Sequence, residues 1–317
     1  MRDLRLLPKA HLHTHLESVI RPDTLRALGG DPIARDRPLA GFREFADQRA
    51  AVRALLREYR HFRQIAEEFC QDEAAQGVRY AEVTFTAAAH GERVNDPQMP
   101  LEAVIEGLAL GQERYGIRTR IILDHSRRRP AERLRSTLAL ALRYPQVAAI
   151  GLAGDEAYSA EPFAREFHAA REAGIHLVHH AGESAGPASI RDALTVGHAE
   201  RLGHGIRVLD DPSLVAELRA RQMPLEVCPS SNVLLGLVPS LVEHPLPRLI
   251  DAGLNVTLNT DGEAALTDEY ELARKNFGYG DGKLANLAQA SVQASFAPLL
   301  VKEQVLAGIE QWLHQNG

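Results

Sequence analysis

The sequence predicts an α/β fold of the (β/α)8, or TIM-barrel, class, with extra helices after the first strand, in one domain spanning residues 1–317. Three observations carry this. Short apolar runs alternate with longer amphipathic stretches, the pattern of a parallel sheet whose strands are joined by helices. The runs number eight, which closes a barrel: Ala10–Leu16, Arg79–Thr84, Arg118–Leu123, Val147–Leu152, His176–His180, Arg201–Gly203, Leu225–Val227 and Val256–Asn259. The 317 residues exceed the ~250 typical of that fold and leave room for insertions. An open doubly wound sheet would usually show a Gly-rich phosphate turn after its first strand. Here the first run leads into "HTHLES", which has no glycine.

The stretches between the runs read as helices. Residues 44–77 are rich in helix formers and close on Gly77, and the whole segment from Arg21 to Gly77 is too long for one crossover, so it should add helices that cap the barrel mouth. "AERLRSTLALALRYP" stops before Pro145, since the residue before a proline leaves the helical region. "FAREFHAAREAG" ends on Gly174, where a left-handed terminus belongs. "DPSLVAELRARQ" opens with an Asp-Pro start, and "LPRLIDAG" ends on Gly253.

Composition narrows the function. The chain is 45% hydrophobic and 25% charged with a formal charge of -6, and no basic block suggests a nucleic-acid partner. Arg127–Arg129 is the longest basic run and reads as a solvated loop. No apolar run approaches the ~20 residues of a membrane span, and no apolar segment precedes the first histidines as a secretory leader would. Cys70 and Cys228 are the only cysteines, too few for a disulfide scaffold or a thiolate metal site. These features point to a cytoplasmic protein.

The barrel rule says where to look, because function collects at the C-terminal ends of the strands. His13 and His15 end the first; Gly154, Asp155 and Glu156 follow the fourth. His179, His180 and Glu183 lie at the fifth, His204 at the sixth and Asp261 at the eighth. Each has an ordinary explanation when taken alone: a packed strand histidine, a turn aspartate, an acid near a helix start. Together they would be five coincidences at one rim. Imidazoles with a carboxylate and no thiolate suit Zn²⁺ or another borderline divalent metal. Such a metal lowers the pKa of a bound water towards ~7, and hydrolysis then needs a base and an acid. Glu183 and His204 are available for those tasks. His11 shares the parity of His13 and His15 but lies ~6.6 Å deeper in the strand, so it reads as a polar residue of the barrel interior and not as a ligand.

At these residues the sequence resembles the adenosine and adenine deaminase family, zinc-dependent barrels of the amidohydrolase type. The matching segments are "LPKAHLHTHLE", "GLAGDE", "HHAGE", "RLGHGIRVLDD", "EVCPSSN" and "LNTD", in the family's order across most of the chain. The resemblance implies one zinc per chain held by His13, His15, His180 and Asp261. It implies that Glu183 protonates the purine ring nitrogen beside the attacked carbon. His204 would assist loss of the water's proton and stabilise the hydroxide. The Gly154 backbone would donate to the purine's other edge. The reaction would be hydrolytic deamination of a 6-aminopurine nucleoside with release of ammonia. The chain departs from the family at two places. Asp-Asp-Pro becomes Asp261-Gly262-Glu263, which removes a side chain that contacts the five-membered ring unless Glu263 replaces it. Leu-Asp-Gly becomes Leu16-Glu17-Ser18, which alters the 5′ region. The expected substrates are therefore adenosine or a 5′-modified adenosine such as aminodeoxyfutalosine or methylthioadenosine, with adenine or another amino-heterocycle as the alternative. A binuclear amidohydrolase would need a bridging ligand, often lysine, after the fourth strand, and "GLAGDEAY" has none. A barrel that merely binds would not need the acid, the base and four ligands. The partner is thus a small-molecule purine, with oligomeric state left open.

Overall fold

A computed structural model describes residues 1–31, 42–262 and 264–314. The strands are β1 (Lys9–His15), β2 (Val78–Phe85), β3 (Arg118–Ser126), β4 (Val147–Ala153), β5 (His176–Ala181), β6 (Arg201–His204), β7 (Pro224–Val227) and β8 (Asn255–Leu258). They pair in parallel in sequence order, β1 through β8. A single bridge from Thr14 to Asp261 brings the end of β8 back against β1 and nearly closes the barrel. All eight expected runs overlap these strands, with Leu16 and Asn259 lying just past the ends of β1 and β8.

The helices follow the connections. Between β1 and β2 lie α1 (Pro22–Ala27), α2 (Phe42–Leu55) and α3 (Tyr59–Ala75), the expected extra helices. Residues 44–77, read from the sequence as one helical stretch, divide here. Glu58 starts α3 afresh: its carboxylate accepts from the His61 backbone, while its own N–H donates to His61 Nδ1 at 3.4 Å. Next come α4 (Ala87–Val94) and α5 (Met99–Tyr115), then α6 (Ala131–Arg143), α7 (Ala164–Glu172) and α8 (Pro187–Thr195). After β6 lie α9 (Pro212–Arg221), α10 (Pro229–Leu234) and α11 (Leu246–Asp251), and after β8 lie α12 (Leu266–Phe277), α13 (Asp281–Ala294) and α14 (Leu299–His314). Asp211 caps α9 as its Asp-Pro start implied, accepting from Ser213 N and Leu214 N.

The main core lies between the strands and the helices, with Leu12, Val83, Leu123, Leu152, Leu202 and Leu225 all buried. A second, smaller cluster sits inside the barrel at its N-terminal end: Ile122, Ala149 and Val178, with Phe296 packed against them. Phe296 belongs to the turn between α13 and α14, so that turn plugs the end of the barrel opposite the rim of interest. Among the described residues no helix is long and apolar enough to cross a membrane.

Strand β1 is irregular. His11 pairs with Ala81 and Thr14 with Val83, so β1 carries one extra residue between them. The successive N–H groups of Leu12 and His13 both donate to Asn259 Oδ1, at 2.9 and 3.1 Å. The bulge reverses the alternation. His11 Nδ1 meets Glu73 of α3 at 2.9 Å and its Nε2 meets Thr260 Oγ1 at 3.2 Å. The expectation that His11 shares the face of His13 and His15 is therefore corrected: it faces the helix layer, and both its ring nitrogens are engaged.

Candidate active site

The strand ends bring His13, His15, His180 and Asp261 together, with one ligand-competent atom of each within 4.8 Å of all the others. Three of them are held from behind. His13 Nδ1 contacts Glu226 Oε2 at 2.7 Å, leaving Nε2 facing Asp261 Oδ1 at 3.2 Å. His180 Nδ1 donates to Leu152 O at 3.1 Å, leaving Nε2 at 3.3 Å from His15 Nε2. Ser231 Oγ donates to Asp261 Oδ2 at 2.8 Å, which turns Oδ1 towards His13 and His15. The His13 ring has room because position 203 is glycine: a Cβ there would lie 2.8 Å from His13 Cε1.

This donor set fits a cation. Hydrogen bonds from the far nitrogens leave lone pairs of His13 and His180 pointing into a buried space shared with a carboxylate oxygen. The surroundings of the cluster favour a positive charge at this point. Burial opposes charge on His13, yet its hydrogen bonds to Asp261 and Glu226 push its pKa up to about 10. Asp261 is held well below the usual carboxylate value: burial opposes ionisation, but hydrogen bonds from His13 and His15 outweigh it. Three imidazoles and a carboxylate at one point are the ligand types of a mononuclear zinc-like centre.

Two more side chains flank the cluster. Glu183 Oε1 lies 3.5 Å from His204 Nε2. Burial, with the negative charges of Asp261 and Glu156, raises the Glu183 pKa well above its ordinary value, which favours the protonated carboxyl. Glu156, a rim acid in the sequence reading, anchors the loop that carries Glu183. Its Oε1 accepts from Glu183 N (2.9 Å) and Ser184 N (3.0 Å), and its Oε2 from Gly182 N (2.7 Å) and Ser189 Oγ (2.5 Å). His204 is fully buried, and burial lowers its pKa to about 3, so it is neutral. A relay fixes its tautomer. His244 Nδ1 accepts from Leu246 N at 3.1 Å, so His244 Nε2 donates to Asn232 Oδ1 at 3.2 Å. Asn232 Nδ2 then donates to His204 Nδ1 at 3.3 Å, which places the proton on His204 Nε2, an atom with no hydrogen-bond partner among the described residues. His204 and Asp261 both hold a left-handed backbone, φ 64° each, unusual for residues other than glycine.

Above the cluster opens a cavity of about 820 Å³, lined by Gly154, Glu17, Ser18, Glu183 and Asp124 among others. Gly154 follows β4 at φ 93°. Glu17 is less available than its sequence position implied: its Oε1 contacts Thr86 N at 3.2 Å and His90 Nε2 at 3.0 Å. Ser18 and Gly262 adjoin, since a Cβ at 262 would lie 2.4 Å from Ser18 Cβ. Glu263 lies outside the described residues. His179 serves packing, with Leu152 N donating to its Nδ1 at 3.0 Å and its Nε2 donating to Gly197 O at 2.8 Å.

Several participants escaped the sequence reading. Arg127 is buried, not part of a solvated loop, and donates to His180 O at 2.8 Å and Tyr158 O at 3.0 Å. A basic run gives no sign of which member turns inward. Asp124 ends β3 at the same rim, with Oδ1 buried and unpartnered among the described residues. Burial raises its pKa, against the pull of His15. Its position at a strand end was a usable signal. Glu226, Ser231 and Asn232 stand within "EVCPSSN", a segment that matched the family without roles being attached.

A nearly closed parallel barrel with a His/His/His/Asp cluster at its C-terminal rim, a protonated carboxyl and a neutral histidine defines a metal-dependent hydrolase of the amidohydrolase type. Comparison with known proteins narrows this: the adenosine deaminase family model matches residues 8–312, and the chain belongs to the adenosine/adenine deaminase family of hydrolytic deaminases. It is 35% identical to an adenine deaminase of Sinorhizobium medicae, covering 96% of this chain and 98% of that one. Among solved structures it resembles an adenine deaminase from Arthrobacter aurescens, with a TM-score of 0.90, 32% identity and coverage of 96% and 99%. It also resembles an amidohydrolase from Burkholderia ambifaria with bound zinc, with a TM-score of 0.86, 26% identity and coverage of 98% and 91%.

Proposed function

We propose that this chain is a zinc-dependent hydrolytic deaminase of a 6-aminopurine, and that adenine is its substrate. The observation that carries the reading is the His13–His15–His180–Asp261 cluster beside a protonated Glu183. The substrate choice rests on the adenine deaminases among its relatives, and it reverses the sequence preference for a nucleoside. The ion would supply a Lewis acid that makes water nucleophilic at neutral pH. Glu183, kept protonated by burial and two neighbouring carboxylates, donates its proton to the ring nitrogen beside the attacked carbon. His204 presents Nε2–H, so it steadies the attacking oxygen as a hydrogen-bond donor. That is the stabilising half of its expected role; the water's proton would pass to the ionised carboxylate of Asp261 beside the same point. The Gly154 backbone N–H meets the opposite purine edge. Glu17, Ser18 and Gly262 shape the space beyond the ring, with Glu263 following them in the chain.

A 5′-modified adenosine is the second reading, favoured by the cavity of about 820 Å³, which is large for a free base. The test is kcat/KM for adenine, adenosine and 5′-modified adenosines on protein of measured metal content. Adenine should lead by at least tenfold at one zinc per chain. A nucleoside in the lead overturns the substrate, and a metal-replete protein inert on the whole panel overturns aminopurine deamination.

A further inference from the structure

His13 is tied to the opposite end of the barrel by an unbroken chain of buried contacts. Glu226, whose Oε2 meets His13 Nδ1 at 2.7 Å, uses its Oε1 to accept from Arg201 Nε at 2.6 Å. Arg201 opens β6 and is buried. Its Nη2 donates to Glu82 Oε2 at 2.5 Å, and its Nη1 donates to Ala294 O, the last residue of α13, at 3.1 Å. Glu82 Oε1 accepts from Phe296 N at 2.6 Å and from the Tyr80 hydroxyl at 3.0 Å. The guanidinium lies over the Phe296 ring, 4.0 Å from its centroid, and that ring stacks on His176 at 3.8 Å with 3° between the planes.

We propose that the turn joining α13 to α14, through Phe296 and Ala294, is a positioning brace for the metal site. It clamps Arg201, Arg201 fixes Glu226, and Glu226 sets the ring orientation and tautomer of His13. Three features favour a brace over a plain plug. Every hydrogen bond in the chain carries at least one charged group, and such bonds are short and directional. Arg201 serves two carboxylates at once, so a displacement at its Phe296 face is transmitted to Glu226 in a core too densely packed to absorb it. The turn's own contributions, Phe296 N–H, Ala294 C=O and the Phe296 ring face, all converge on this one network. A plug needs only an apolar side chain of the right size.

The inference rests on the metal-site reading, and one experiment separates the two. Protein freed of metal by chelation is titrated with Co²⁺, read by its visible absorption band, and then with Zn²⁺ against a competing chelator, with thermal unfolding of the apo form alongside. The proteins are the wild type, Phe296→Leu, Phe296→Ala, Glu82→Gln and, as a control, Ile309→Ala, a buried α14 residue remote from the network. Wild type should take up one equivalent; if it takes up none, the metal reading itself falls. The Phe296 and Glu82 variants should bind zinc roughly 10- to 100-fold more weakly, the range seen when groups behind a ligand are removed. Their cobalt band should also shift, while the control loses thermal stability alone. If Phe296→Leu and Glu82→Gln retain wild-type affinity and spectrum, the turn only closes the barrel and the proposal is overturned. Phe296→Leu retains most of the bulk, so the test survives if Phe296→Ala does not fold.

Discussion

Replacing Glu156 by glutamine tests how the loop bearing Glu183 is held. The carboxylate receives three backbone N–H groups and one hydroxyl. Glutamine can keep its oxygen towards Glu183 N and Ser184 N, but its NH2 then opposes Gly182 N–H, where the bond was 2.7 Å. One buried donor loses its partner, at about 1–3 kcal/mol. The remaining bonds lose their ionic character, at about 0.5–1 kcal/mol each for two or three of them. The sum is about 2–6 kcal/mol, or a fall in Tm of about 4–12 °C at roughly 2 °C per kcal/mol for a chain of this size. The same change has an electrostatic signature. The Glu156 charge helps raise the Glu183 pKa, so its removal lowers that pKa. The active form of Glu183 is protonated, and activity is lost as pH rises through its pKa. The alkaline limb of kcat/KM should therefore move to lower pH in the variant. Differential scanning calorimetry and a pH–rate profile read the two effects separately. An unchanged Tm, or an alkaline limb that moves upward, would refute the account of this loop.

Three further outcomes follow from the geometry. Asn232→Asp places an acceptor against His204 Nδ1, moves the proton to that atom and takes the Nε2–H away from the reacting centre; kcat should fall about 10²–10⁴-fold with little change in KM, and an undiminished kcat would show that the tautomer does not matter. Gly262→Ala puts a Cβ 2.4 Å from Ser18 Cβ at a φ of 135°, at about 2–5 kcal/mol in all, and adding Ser18→Gly should recover the steric part of about 1–3 kcal/mol; urea unfolding that finds the double variant no more stable than Gly262→Ala contradicts the contact. Burial lowers His125, His179 and His244 to pKa values of about 4, so the unfolded chain, with histidines near 6.5, binds the extra protons. Their contribution is intact above pH ~6.5 and lost as pH falls towards ~4, by up to about 3 kcal/mol for each, so the urea midpoint should decline across that window; a flat profile would mean these rings are not held neutral.

The fold was legible because its signals are local. A strand buried on both faces reads as an apolar run, and the alternation of runs with amphipathic stretches survives without any knowledge of contacts. The residues of the cluster were legible because the barrel places chemistry at strand ends and because imidazole and carboxylate are scarce in such positions. What escaped depends on the third dimension. The inward turn of Arg127 is decided by the carbonyls of Tyr158 and His180 waiting for a donor. The anchoring role of Glu156 is decided by three N–H groups that a loop leaves without partners. The face of His11 is decided by a bulge, and period-two counting assumes there is none.

That bulge makes the length of β1 a constraint in its own right. Substitution at Leu12 alters volume, and deletion of Leu12 would set His11 next to His13, where plain alternation keeps them on opposite faces; only the present two-residue spacing needs the bulge. A strand of the same length that lost the bulge would turn His11 to the face of His13 while leaving every histidine in the sequence. A composition-preserving change of that kind is invisible to a motif search. Homologues that keep His-x-His but differ in spacing from the preceding lysine should be regarded as different centres until their strand register is known.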